Sequence, residues 1–170
     1  EEPQPGKGAC LNRAIDAGSL GDIVAVLDDD MSPNDSWFKA VASVSARWPD
    51  CDYFGGRIDV VWPDGPLPPW SQARAIRSWA YSAFECDPTR DRPIEAGRWP
   101  CGGHFWFRSR VLHYGIRFEN SWLTEPLFIL QLQERGARGI ASPDVQASHR
   151  VQPELFQQAF ILERAKLVGT

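Results

Sequence analysis

The sequence has no apolar run long enough to cross a bilayer and no segment with the make-up of a signal peptide. It has no basic excess either. Its 18 Lys and Arg against 22 Asp and Glu leave a net charge of -4, with a pI near 5.4. That balance argues against nucleic acid as a partner, because phosphate recognition needs a basic face. The cysteines, Cys10, Cys51, Cys86 and Cys101, include no CxxC pair. Zinc is therefore not indicated, and reduced thiols in a cytoplasmic protein are expected. There is no internal repeat and no low-complexity tract. The chain opens on Glu1 rather than methionine, as a trimmed fragment would. What it does have is 170 residues, 43% of them hydrophobic, enough for one domain with a substantial core. It also has 8 tryptophans, which suit both a core and the stacking of sugars or bases.

The stretch Ile23-Val24-Ala25-Val26-Leu27 runs directly into Asp28-Asp29-Asp30. An apolar, largely β-branched run reads as a strand buried on both faces. In open α/β sheets such strands deliver polar residues at their carboxyl ends, where ligands bind. Three adjacent carboxylates repel one another unless a cation or solvent relieves them, and a divalent metal with oxygen ligands is suited to that. A second reading stays open. Ser32-Pro33 resembles an N-cap followed by proline at the first helical position, and acidic residues favour that end of a helix.

The remaining chain alternates strands and helices. Residues 10–17 read as a short helix stopped by Gly18, 22–28 as a strand, and 33–47 as a helix with Trp37, Val41, Val44 and Trp48 inward. Tyr53 to Val61 reads as a strand in which Gly55-Gly56 marks a bulge or close approach. Residues 62–69 form a loop, 70–84 a helix, and 86–100 a charged, proline-punctuated connection; both irregular segments are expected to be mobile. Strand 103–108 precedes a short helix capped by Ser109 and ended by Gly115. Helix 125–135 closes at Gly136, and strand 138–149 carries Pro143 as a break or an edge marker. The last helix, 153–168, aligns Leu155, Phe156, Ala159, Phe160 and Leu167. Its polar face is not basic enough for a membrane-surface helix, so packing on the domain is expected. The pattern implies an α/β layered domain.

Three segments carry a resemblance. Gly6-Lys7-Gly8-Ala9-Cys10-Leu11-Asn12-Arg13-Ala14 precedes the strand ending in Asp28-Asp29-Asp30. Gly102-Gly103-His104-Phe105-Trp106-Phe107-Arg108 is followed by Gly115-Ile116-Arg117-Phe118-Glu119. Thr124-Glu125-Pro126 opens a helix before Ser148-His149. In this order they resemble the family 2 glycosyltransferases of the GT-A fold, over residues 6–150. The resemblance implies a Rossmann-related mixed sheet flanked by helices. It implies Mn²⁺ or Mg²⁺ at Asp28, Asp30 and His149, held against a nucleotide-sugar donor. The chemistry wants such a metal, because the leaving group is a nucleoside diphosphate. Lys7, Asn12, Arg13, Asp28, Asp29, Gly102, Gly103 and His104 fall on donor-lining positions. The acceptor would be a carbohydrate or a lipid-linked group, with membrane association through that acceptor as the alternative to a purely cytoplasmic protein.

Two departures stand out. The family's base is usually an aspartate, and that position is Pro126 here, which leaves Glu125 as the candidate base. The family's first βαβ portion, which binds the nucleoside, has no counterpart ahead of Lys7. The chain alone is therefore expected to bind nucleotide-sugars weakly or not at all and to expose a sheet edge. Inversion at the anomeric carbon is implied. Two other readings compete. One is a catalytically silent carbohydrate- or partner-binding domain, with Trp62, Trp70, Trp99, Trp106 and Trp122 as stacking surfaces. The other is a haloacid-dehalogenase-type phosphatase, which also begins with an apolar strand and DxD. That fold needs a downstream lysine followed by an acidic pair, and neither Lys39 nor Lys166 is so followed.

Overall fold

The computed structural model describes the backbone of residues 5–168 and the side chains of residues 5–166. The expectation for Leu167 lies outside those side chains, and that for residues 1–4 outside the backbone. The elements are α1 (Lys7–Asp16), β1 (Ile23–Leu27), β2 (Met31–Pro33), α2 (Trp37–Arg47), β3 (Tyr53–Val61), α3 (Arg74–Tyr81), β4 (Arg92–Ile94), β5 (His104–Arg108), α4 (Thr124–Glu134), β6 (Gly139–Arg150) and α5 (Gln158–Val168). Short 3-10 turns occupy Pro69–Gln72, Ser109–Tyr114 and Pro153–Phe156.

One mixed sheet runs β1-β5-β3-β6-β2, with β4 also paired to β6. Among the described strands only β3 and β6 are parallel; the other pairings are antiparallel. The period-2 alternation of β5 divides the core in two. Phe105 and Phe107 face one side, where they pack with Phe118, Phe128, Ile129 and Leu132 around α4. Trp106 faces the other, stacked on Phe54 with Trp37, Val41 and Val44 of α2. A third cluster joins α3 to α5 through Tyr81, Val151, Trp62 and Phe156. Arg108 ties β5 to the end of α2. Its guanidinium donates to the carbonyls of Ser45 (2.6 Å), in the last turn of α2, and of Trp48 (3.1 Å) and Cys51 (2.8 Å), in the turn that follows.

Several expectations are corrected. Ser32-Pro33 does not open a helix. Met31–Pro33 pairs with Ala147–His149 as β2, and α2 begins only at Trp37. The acidic triplet therefore ends in a β-turn that feeds a strand, and the helix-cap reading fails. β1 is not buried on both faces. Among the described strands it pairs with β5 alone; only Val26 is fully buried, and Ala25 is exposed. The expected helix 70–84 is interrupted at Ala73, whose backbone is extended, and the last helix is likewise preceded by a separate 3-10 turn. The connection 86–100 contains β4. Ser109 provides no side-chain cap to the turn that follows it. Pro143 lies in a bulge inside β6: register with β3 jumps from Gly56↔Ser142 to Arg57↔Gln146. That strand is internal, so Pro143 marks a break and not an edge.

Candidate functional site

The carboxyl end of β1, the amino end of β5 and the carboxyl end of β6 meet at one end of the sheet. The turn after β1 is closed by the Met31 N–H donating to the Asp28 carbonyl (3.1 Å), and the Asp28 N–H donates to the Gly103 carbonyl (2.9 Å). Gly103 has φ of 108°, and a Cβ there would lie 2.5 Å from Asp28 Oδ2. A Cβ on Gly102 would lie 2.9 Å from the Glu125 carboxylate. These two glycines thus make room for two acidic side chains to approach the backbone.

Lys7, the first residue of α1, lies between those acids. Its Nζ is 2.5 Å from Asp28 Oδ1 and forms a second ion pair with Glu125 Oε1. Burial works against the Lys7 ammonium, but Glu125 and Asp28 outweigh it and hold its pKa above the ordinary lysine value. Burial likewise pushes the Asp28 carboxyl up despite Lys7, and the charges of Glu125 and Asp30 add to that rise. Glu125 stands in the first turn of α4 and is nearly inaccessible.

His149 is on the neighbouring strand. Its Nδ1 is 2.8 Å from the Tyr81 carbonyl, which can only accept, so Nδ1 carries a proton. Nε2 then points at Asp30, 3.2 Å from Oδ2. Such a nitrogen either carries a second proton and pairs as an imidazolium or offers its lone pair to a cation shared with the carboxylate. A backbone carbonyl that fixes the far nitrogen is the usual support of a metal-bound histidine. The donor set of Asp30 and His149 therefore fits a divalent ion.

The expected three-ligand set is not assembled. Among the described residues no three His, Cys, Asp or Glu side chains surround one point. Asp28 is engaged by Lys7 while Asp30 faces His149. Asp29 is exposed at the turn. Asn12 is occupied elsewhere. Its Nδ2 donates to the Phe118 carbonyl (2.8 Å) and its Oδ1 accepts the Phe118 N–H (2.9 Å), which clamps α1 to the segment before α4. Arg13 is exposed on α1. His104 points into the core. Its Nε2 accepts the Trp37 indole N–H at 2.8 Å, and burial pulls its pKa down to about 4. Trp106 is wholly buried and Trp62 and Trp70 are half-buried, so of the expected stacking surfaces only Trp99 and Trp122 are exposed.

Sequence reasoning missed Arg164. Its guanidinium lies over the rings of Trp122 (4.9 Å) and Phe160 (5.0 Å) and donates to the Ala80 carbonyl (2.6 Å). Burial lowers its pKa, with the charge of Asp30 working in the opposite direction. No local signal marks it, because only the packing of α5 against α3 brings it there.

No family model matches this sequence, and no curated protein matches it. Solved structures do. One is the crystal structure of GalNAc-T7 with UDP, GalNAc and Mn²⁺, at TM-score 0.64 and 14% identity, covering 99% of this chain and 35% of that one. The chain has a GT-A-like fold. A mycobacterial protein of solved structure aligns at TM-score 0.54 and 19% identity, covering 96% of this chain and 53% of that one. The chain thus spans about half of one neighbour and about a third of the other. Identities this low show the fold alone. No helix among the described residues is long and apolar enough to cross a membrane.

Proposed function

We propose that this chain is the metal- and donor-binding part of a glycosyltransferase that moves a sugar from a nucleoside diphosphate to a carbohydrate or lipid-linked hydroxyl. The observation that carries the reading is His149, whose Nε2 is aimed at Asp30 from the end of β6. The GT-A-like fold supports it, since GalNAc-T7 was crystallised with UDP and Mn²⁺. Mn²⁺ or Mg²⁺ held by Asp28, Asp30 and His149 would offset the charge that develops on the departing diphosphate.

The chain's own residues do the rest. Lys7, Arg13, Asp29 and the Gly102-Gly103 turn border the donor, with Asn12 and His104 as supports beneath it. Glu125 takes the proton of the acceptor hydroxyl as its oxygen attacks the anomeric carbon from the opposite side. The bond to the diphosphate oxygen breaks with its electron pair, and configuration inverts. Membership of family 2 rests on the order of the motifs between residues 6 and 150.

Release of nucleoside diphosphate from UDP- or GDP-sugars, measured with Mn²⁺ and again after chelation, tests the reading. We expect metal-dependent release that Asp30→Ala abolishes. Release that survives both chelation and Asp30→Ala overturns it. One observation favours a second reading, a silent binding domain: Pro126 stands where the family keeps its base, and Glu125 is held by Lys7. In that case Asp30→Ala leaves carbohydrate affinity intact and no turnover exists to lose.

A further inference from the structure

Arg164 is a half-buried cation whose donors are largely unused. Its guanidinium is sandwiched between the rings of Trp122 and Phe160, and Nη1 donates to the Ala80 carbonyl. Nε is shut off from water and has no partner, and Nη2 bonds to none of the described residues. No carboxylate among those residues forms an ion pair with it; Asp30, whose charge reaches it, is directed at His149 instead. Arg108 shows the contrast, since that guanidinium is spent on three carbonyls. A partly desolvated guanidinium with most of its N–H groups idle is costly, and an acceptor of opposite charge relieves that cost. The two rings attract only the faces of the plane. Its edge, where the N–H groups lie, stays open.

The place of this edge narrows the ligand. Ala80 precedes Tyr81, whose carbonyl fixes His149, and Trp122 lies just ahead of α4, which carries Glu125 in its first turn. Arg164 therefore stands at the end of the sheet where those side chains lie. Lys7, by contrast, is committed there to Asp28 and Glu125. We infer that Arg164 receives a phosphate oxygen of the ligand bound at this end of the sheet, an inference that rests on the glycosyltransferase reading above. Two rings and one carbonyl hold the planar fork, so its remaining N–H groups point in a fixed direction. Nη2 meets the oxygen, and Nε lies along the same edge. Charge-assisted bonds from such a fork suit a phosphate better than a neutral sugar hydroxyl. Phosphate has two sources in that reading: the diphosphate of the donor and the phosphate of a lipid-linked acceptor. A plain carbohydrate acceptor supplies none.

The test follows the Arg164 Nε–H by ¹H–¹⁵N NMR, because a proton shielded from water exchanges slowly enough to be seen. Arg164→Gln assigns the signal by its loss. EDTA is present throughout, so neither outcome depends on a metal. UDP and citronellyl phosphate are titrated separately, with sodium chloride at matched ionic strength as the control. At least one of the two phosphates should move the signal to saturation, and Arg164→Gln should weaken its binding roughly tenfold or more. Movement with UDP assigns the oxygen to the donor, and movement with citronellyl phosphate assigns it to a lipid-linked acceptor. The receptor is refuted if neither phosphate moves the signal, if chloride moves it as far, or if folded Arg164→Gln binds as tightly as wild type. Circular dichroism checks the fold. If the glutamine variant does not fold, the wild-type titration decides, with Arg164→Lys providing the assignment. UDP that binds without moving the Arg164 signal refutes the receptor and leaves the glycosyltransferase reading standing. A phosphate held at Arg164, with no metal-dependent release of nucleoside diphosphate, sinks that reading alone.

Discussion

Asn12 separates a structural from a ligand-binding role by a measurement of stability. The resemblance places it at the donor, whereas the structure gives both ends of its amide to the backbone of Phe118. Phe118 is buried and belongs to the core around Phe128. Asn12→Ala would leave one N–H and one C=O without partners. An unsatisfied buried polar group costs about 1–3 kcal/mol. Asn12 is only half-buried, so water can reach part of the gap, and the low end of that range, about 1–1.5 kcal/mol, applies to each group. The expected loss is about 2–3 kcal/mol in all. For a chain of this size about 1 kcal/mol moves Tm by roughly 2–4 °C, so Tm should fall by roughly 4–12 °C. Urea unfolding followed by circular dichroism gives the free energy directly, with an unchanged denaturant slope expected. Asn12→Asp keeps the acceptor but sets a carboxylate against the Phe118 carbonyl, and should be no better than alanine. A loss below about 0.5 kcal/mol for Asn12→Ala would refute the clamp and return Asn12 to the donor pocket.

Two further outcomes follow from buried groups. His104 has its pKa lowered from 6.5 to about 4, so between those values the unfolded chain binds a proton that the folded chain does not. Stability is then complete above pH 6.5 and falls as pH drops toward about 4, by up to about 3 kcal/mol; urea midpoints between pH 7 and 4.5 should show a slope of about one proton that His104→Gln removes, and an unaltered slope in the variant would contradict the assignment. Arg108→Met keeps the aliphatic stem but removes three charge-assisted bonds at the end of α2. It should cost about 2–4 kcal/mol, read by thermal unfolding, and a loss under about 1 kcal/mol would show that solvent replaces those bonds.

The strands were the most legible part of the sequence. β3 has the expected bounds, and β1, β5 and β6 differ from expectation by a residue or so at their ends. Apolar alternation and turn residues are local signals, and these segments carry them strongly. β2 and β4 escaped because each has three residues including a proline, and each exists only through pairing with distant β6. The breaks before α3 and α5 involve no glycine and gave no local sign.

For the site, the acidic end of β1 and the histidine at the end of β6 could be read from position in a motif. Their pairing depends on the β2–β6 register, which sets Met31 opposite His149. The Lys7–Glu125 contact joins two helix starts far apart in the chain and had no sequence signal. The orientation of His104 did have one. Phe105 and Phe107 alternate with His104 and Trp106 on β5, and the aromatic partner on each face shows that both faces are core.

His149 and Asp30 are proposed here to hold a divalent ion through the imidazole Nε2. Pulsed electron paramagnetic resonance of the Mn²⁺-loaded chain tests it most directly, because a coordinated imidazole nitrogen modulates the Mn²⁺ echo. We expect ¹⁴N modulation in wild type, its loss in His149→Ala, and weaker Mn²⁺ binding in Asp30→Asn. Bound Mn²⁺ without nitrogen modulation, or modulation that persists in His149→Ala, would contradict it.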